Sequence, residues 1–277
     1  MELQRIVVAH FSPTGGTKKV AQALQHGFKE VVEGLECQVV PFNFLSPTIR
    51  AKRVPKFTEQ DLLIFAYPVF FGRMPWAFEN WPELVGNGAK AIVVSVYGNR
   101  AIEDAARETM SFLSNHGFRI VGHIEAIAQH SQESTLAAHR PDDEDVVELK
   151  SFAQRILQAI KDQGFDSLKE YEFDRTTPLK APGKAPCVPF ITDADNCDQC
   201  LRCVSACPCG IIDKDTISVK DEDLALCMGC RACMHVCKNC TRGFPQKVHQ
   251  AIAERMAMIK AANSERKPNV LSLATPS

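Results

Sequence analysis

The sequence predicts an α/β chain: a doubly wound parallel sheet followed by a small cysteine-rich unit. Three observations carry that prediction. Continuous apolar runs alternate with helix-period segments over roughly the first 160 residues. Four prolines (Pro178, Pro182, Pro186 and Pro189) then crowd a stretch with little apolar periodicity. Beyond residue 186 stand eleven of the twelve cysteines, all between Cys187 and Cys240.

The first strand is the β-branched run at residues 6–11 (IVVAHF). Residues 17–32 follow with Val20, Ala21, Leu24, Phe28, Val31 and Val32 at helical spacing. Residues 37–42 read as a second strand, and 61–67 (DLLIFAY) as a third, buried one. Residues 75–85 are expected to be helical. Residues 89–97 (AKAIVVSVY) give a fourth strand, 101–116 a helix, and 118–127 (FRIVGHIEAI) a fifth strand. A last amphipathic helix over 142–160 carries DDED in its first turn, where the helix dipole favours acids. Strands with continuous apolar runs, joined by helices, imply a parallel sheet covered on both faces by right-handed crossovers. The breaks divide the chain into 1–165, a linker 166–186, a cysteine-rich unit 187–245, and a C-terminal helix with a flexible tail, 246–277.

The 277 residues exceed one average domain, and 45% are hydrophobic. The formal net charge of -1 gives no global pull toward nucleic acid or an anionic membrane. The N-terminus lacks a basic n-region, a long apolar run and a small-residue cleavage site. The longest apolar run, about 62–71, contains Pro68 and is too short to span a bilayer. The expectation is a cytoplasmic protein, where dense cysteine argues for metal rather than disulfides.

Two stretches carry chemistry. The first is Ser12-Pro13-Thr14-Gly15-Gly16-Thr17, between the first strand and the first helix. Glycines let backbone amides converge on an anion, hydroxyls add donors, and the helix N-terminus supplies positive potential. The Walker lysine and the G-x-G-x-x-G pattern are both absent. The loop therefore suits a single phosphate monoester, or is an ordinary glycine-rich turn. The second is a repeat: CDQCLRCVSACP from Cys197 and CMGCRACMHVCK from Cys227. Both read C-x2-C-x2-C-x3-C. Zinc knuckles are usually separated by longer intervals. The run followed by proline is the bacterial ferredoxin signature, whose fourth cysteine ligates the other cluster. By that rule Cys197, Cys200, Cys203 and Cys237 hold one [4Fe-4S] cluster, and Cys227, Cys230, Cys233 and Cys207 hold the other. Lys238 replaces the proline in the second copy, and its charge would raise the potential of a nearby cluster slightly. Cys37, Cys187, Cys209 and Cys240 fall outside the register and read as small apolar fillers. Residues 210–212 and 216–219 supply the apolar core between the repeats.

The S-x-T-G-x-T loop resembles the FMN phosphate loop of flavodoxins, whose sheet has the order 2-1-3-4-5 and binds FMN at its switch point. The resemblance implies two further flavin loops. The first is Pro68, Val69, Phe70, Phe71 and Gly72, running on to Trp76; the second is Tyr97, Gly98, Asn99 and Arg100. Phe70, Phe71, Trp76 and Tyr97 are the aromatic candidates for covering the ring, with core packing as the alternative for the phenylalanines. His130, Ser131, His139, Arg140 and Asp142 resemble a polar loop of flavodoxin-type chains fused to ferredoxins, or are a solvated loop with a helix cap. The chain thus resembles the flavodoxin–ferredoxin fusion proteins of anaerobic and facultative bacteria: a flavodoxin-like part, then an α+β dicluster ferredoxin-like part. That resemblance implies FMN, two [4Fe-4S] clusters and electron transfer to or from a redox partner protein. One alternative is an FMN-dependent reductase fed by its own clusters, with Tyr97, Arg100, His130 and Arg140 as substrate contacts. The other is a docking subunit with a flavin-free flavodoxin fold.

Overall fold

A computed structural model describes residues 2–32, 36–185 and 187–274; Pro186 of the predicted linker lies outside the described residues. The chain runs β1 (Arg5–His10), α1 (Gly16–Val32), β2 (Gln38–Asn43), α2 (Pro47–Lys52), β3 (Asp61–Pro68), β4 (Lys90–Tyr97), α3 (Ala105–Asn115), β5 (Arg119–Ile127) and α4 (Asp143–Gln163). The cysteine-rich part holds β6 (Phe190–Ile191), α5 (Arg202–Ala206), α6 (Ala232–His235) and β7 (Arg242–Gly243), followed by α7 (Gln246–Ala262) and β8 (Val270–Leu273). Strands β1 to β5 pair in parallel in the expected order 2-1-3-4-5, and β8 adds antiparallel beside β5. Among the described residues no helix is long and apolar enough to cross a membrane.

The apolar strands work because both faces are covered. Along β1, Ile6 and Val8 enter a core with α1 and α4, while Val7 and Ala9 enter a second core on the opposite face. Gly27 sets the approach of α1 to α4: a β-carbon there would stand 2.5 Å from the Lys150 carbonyl oxygen. The acidic start of α4 does more than meet the dipole. Asp142 accepts from the Asp145 amide, and Asp145 returns the contact to the Asp142 amide.

Two expectations are corrected. Residues 75–85 do not form an α-helix; they give one 3-10 turn, Trp76–Phe78, and then irregular chain. Pro82 disfavours helical backbone at Trp81. Trp81 is buried instead, stacked on Phe44 at 5.2 Å, with its Nε1 donating to the Arg50 carbonyl at 2.8 Å. Phe11, Phe44, Phe65 and Phe78 fill the same layer, so loop aromatics cover this face where a helix was expected. The expected flexible tail also contains β8, which pairs Val270 to Leu273 with residues 122–125 of β5. Its anchor is polar and therefore invisible to hydropathy. Asn269 accepts from the Ile127 amide at 2.9 Å and donates to Asp145 at 2.9 Å, and Asp145 is itself ion-paired to buried Arg140. The helix expected over 101–116 starts four residues later, at Ala105.

His10 and His123 are buried, and burial holds both imidazoles down at about 4, with Lys18 adding to the effect at His10. Unfolded, each titrates near 6.5, so the unfolded chain binds more protons below that value. Native stability should be unaffected by these groups above pH 6.5. It should fall as pH drops toward 4, by at most roughly 1.4 kcal/mol per pH unit per site. Urea midpoints taken from pH 7.5 to 4.5 test this, and His123→Gln should flatten the decline.

Candidate functional site

Three loops converge where the chain turns from β1 outward to β2 on one side and to β3 on the other. Ser12, Pro13, Thr14, Gly16 and Thr17 line a pocket with Pro68, Val69 and Phe70 from the loop after β3 and Tyr97 and Gly98 from the end of β4. Ala128, Gln129, His130 and Ser131 close it from the end of β5. The crevice outside the carboxyl ends of strands at a switch point is where open α/β sheets bind ligands.

Local chemistry explains the loops. Ser12 Oγ accepts from the Lys18 amide at 2.9 Å, which ties the loop to the first turn of α1. Gly15 takes φ 94°, a backbone that glycine tolerates at no steric cost. Gly15 also faces the adjoining cavity, together with Lys19. In the second loop the Val69 amide donates to the Val96 carbonyl, and Phe70 and Arg73 exchange backbone bonds around a tight turn. Phe71 and Gly72 take positive φ at that turn, and a β-carbon on Gly72 would meet the Glu103 side chain. In the third loop Gly98 is held against His130; a β-carbon there would lie 2.4 Å from its Cδ2. Burial, with Arg231 next, pushes His130 below its ordinary pKa.

Not every expected residue faces the pocket. Phe71, Gly72 and Arg100 line a wider outer cleft. Asn99 is buried and spends its amide on the carbonyls of Asn263 and Glu265, at 2.7 and 2.8 Å. Phe71 stacks on Trp76 at 6.4 Å, and Trp76 donates to the Leu226 carbonyl at 3.1 Å, away from the pocket. Phe70 and Tyr97 are the two aromatic side chains in the pocket wall. Arg140 is paired with Asp145, His139 is exposed, and Asp142 caps α4.

The cysteines form a second centre. Cys207, Cys227, Cys230 and Cys233 line one cavity, walled by Val188, Ile211, Ile212, Val219 and Met228. Cys209 lines it too. Burial raises the thiol pKa of Cys209, Cys227, Cys230 and Cys233, to about 11 for Cys233 and about 12 for Cys209. A metal must therefore displace the protons when it binds. Cys197, Cys200, Cys203 and Cys237 lie nearer solvent, and Cys200 and Cys237 both act on Arg202, whose Nε donates to the Cys200 sulfur at 3.2 Å. Lys238 is exposed. Among the described residues no three His, Cys, Asp or Glu side chains converge on a single-ion site. A cubane makes a different demand: each thiolate takes its own iron, so the four sulfurs surround a cavity. The donor set and apolar wall around Cys207 fit that demand.

The two centres share a joint that the sequence did not announce. Arg50 is buried and donates to the carbonyls of Phe44 and Leu45 at 2.9 and 2.7 Å, and to that of Pro208 at 2.6 Å. Met228 is buried within the aromatic core of the sheet. Arg231, between Cys230 and Cys233, lines the same cavity as Thr14, Gly15 and Gly16, and its Nε is buried without a hydrogen-bond partner. The segment after α4 is pinned along α3: Arg107 donates to the Thr177 and Pro178 carbonyls, and Asp104 accepts from the Lys180 amide.

No family model matches the chain. Over 96 residues it is 36% identical to DNA-directed RNA polymerase subunit Rpo3 of Methanosarcina acetivorans and 35% identical to that of Methanosarcina mazei. The chain spans about a third of the length of these curated relatives. Among solved structures it is similar to a flavodoxin from the domain Archaea, with TM-score 0.40 and 17% identity over 57% of this chain and 99% of that one. Oxidised flavodoxin 2 from Bacillus cereus gives TM-score 0.38 and 16% identity over 54% of this chain and 94% of the other. A flavodiiron core from Synechocystis gives 0.41 and 15%, over 58% of this chain and 37% of the other.

Arg50→Ala would leave the Pro208 carbonyl and two others without their buried donor, at roughly 1–3 kcal/mol each. Amide exchange near residues 207–210 should accelerate by at least about tenfold, while exchange in β1 and β3 stays slow.

Proposed function

We propose that this chain is a flavin-linked electron-transfer protein: residues 1–165 bind FMN, and residues 187–245 hold two [4Fe-4S] clusters. The linker 166–186 joins the two parts. The observation that supports this best is the shared wall. The short loop from Cys230 to Cys233 supplies two thiols to the cluster cavity and, through Arg231, one side of the cavity beside the phosphate loop. Two redox centres held in one body keep a high effective concentration of each for the other.

The residues divide the work. The amides and hydroxyls of Ser12 to Thr17 suit a phosphate monoester at the start of α1. Phe70 and Tyr97 offer apolar faces to a planar ring, and the walls at Val69 and Val96 exclude water from it. Cys207, Cys227, Cys230 and Cys233 fit the inner cluster; Cys197, Cys200, Cys203 and Cys237 fit the outer one, nearer solvent. When bound, a flavin supplies one- or two-electron chemistry and each cluster one-electron chemistry. The outer set, with Cys200 exposed, then faces a redox partner protein, and the inner set faces the flavin. No acid or base in the chain is required for that work.

A second reading, reduction of a small molecule at the flavin, is favoured by the outer cleft: Tyr97 and Phe70 open onto a walled space instead of a flat face.

Anaerobic purification with flavin, iron and sulfide assays tests the reading. The expected yield is about one FMN and about eight irons per chain, two clusters of four. Cys230→Ala should halve the iron, and Cys209→Ala should leave it unchanged. Gly15→Val should remove FMN and keep the iron. A chain fully loaded with iron but without flavin would overturn the proposal.

A further inference from the structure

Helix α7 is held at both ends and stands off the body between them. At its start Thr241, Arg242 and Phe244 are buried in the cysteine-rich part. At its end Asn263 and Glu265 take the amide of Asn99, and Lys267 donates to the Arg100 carbonyl. Between these anchors Met256 is the only buried residue of the helix. Val248, Ile252, Met256 and Ile259 recur at helical spacing and face a cleft of about 940 Å³. Its opposite wall is Val69, Phe70, Phe71 and Tyr97. Small-molecule sites run to about 1,000 Å³. A roof anchored at both ends bars a folded partner from the ring face but admits a small molecule.

The charge around the cleft is one-sided. Arg100, Lys180, Lys247 and Arg255 line it, and no carboxylate does. Glu103 neutralises the first two from outside the wall. Lys247 and Arg255 have no ion-pair partner among the described residues. An apolar stripe facing open space, with unpaired cations beside it, matches one ligand class. We infer that the cleft under α7 binds a small organic anion with a flat apolar body, such as an aromatic carboxylate, laid along the apolar stripe of α7 with its charge toward Lys247 and Arg255. The location beside the ring rests on the flavin reading; the binding of the anion does not.

Calorimetric titration of the holoprotein with 2-naphthoate tests this, with 2-naphthylmethylammonium as the cationic counterpart of the same shape. Naphthoate should bind at one site at least about tenfold more tightly than the cation, and Lys247→Ala/Arg255→Ala should weaken it by at least about tenfold. Iron and FMN content should not change in that variant, because both side chains are exposed. Naphthoate should also perturb the visible flavin spectrum. A protein that lacks FMN yet discriminates naphthoate from the cation would overturn the flavin reading and keep the site. A flavin-loaded protein that binds both ions equally, or that responds identically in the double variant, would overturn the site. Light scattering that finds a dimer, with naphthoate excluded from the cleft, would overturn it too and make a second copy the occupant of the stripe.

Discussion

A buried guanidinium must find acceptors, and Arg50 finds them on both sides of a boundary. Two of its carbonyls belong to the chain just after β2; the third, Pro208, belongs to the cysteine-rich part. A cation taken out of water without partners costs several kcal/mol. The arrangement is therefore close to all-or-none: the second part docks with the Pro208 carbonyl in place, or Arg50 loses a buried contact. Docking then fixes more than one bond. Pro208 lies between Cys207 and Cys209, so the same contact sets where the inner thiols stand relative to the sheet. Met228 completes the joint by entering the aromatic core that Trp81 and the phenylalanines build. The missing helix at residues 75–85 is part of this logic. Trp81, in the irregular chain there, donates to the Arg50 carbonyl and shares one core with Met228.

The sheet supplies the other half of the geometry. Parallel strands end their carboxyl termini on one edge, so loops far apart in sequence meet there without any local signal between them. Each expected loop contributes to the pocket because each follows its strand directly. Beside the pocket, the loop carrying Arg231 walls the adjoining cavity together with Thr14, Gly15 and Gly16. Arg231 is placed by its neighbours: a residue between two cysteines of a C-x2-C pair goes where the thiols go.

Legibility in the sequence followed the range of the interaction. The five parallel strands and α1, α3 and α4 were readable because their apolar periodicity is local. The loops at the strand ends were readable from glycine, hydroxyl and aromatic residues beside recognisable strands. The cysteine register is visible because the eight residues lie close together along the chain. Arg50, Met228 and Arg231 were not readable as a joint, since each meets a partner more than a hundred residues away or across a cavity. Asn99 misled for the same reason: a polar residue in the loop after β4, expected at a ligand, spends its amide on residues 263 and 265. β8 was read as tail because a four-residue run, VLSL, is too short to give a strand signal; Asn269, clamped between Ile127 and Asp145, is what holds it.

That clamp changes what the C-terminal segment is for. Residues after the cysteine-rich part do not trail away; they return to the first sheet, and the return path decides where α7 lies. Asn99, one residue past Gly98 in the pocket wall, grips the end of α7. Asp145, in the first turn of α4, grips Asn269 and Arg140 together. The C-terminal end of the helix is thus held by polar contacts, while Phe244 packs at its start. Apolar packing would have closed the space beneath it, because burial pulls surfaces into contact. Anchors at the two ends fix the span, and between them Met256 is the one side chain of the helix that is buried. A cleft roofed in this way is a consequence of how the chain is tied, and its apolar stripe and unpaired cations are what remain to be satisfied by whatever enters.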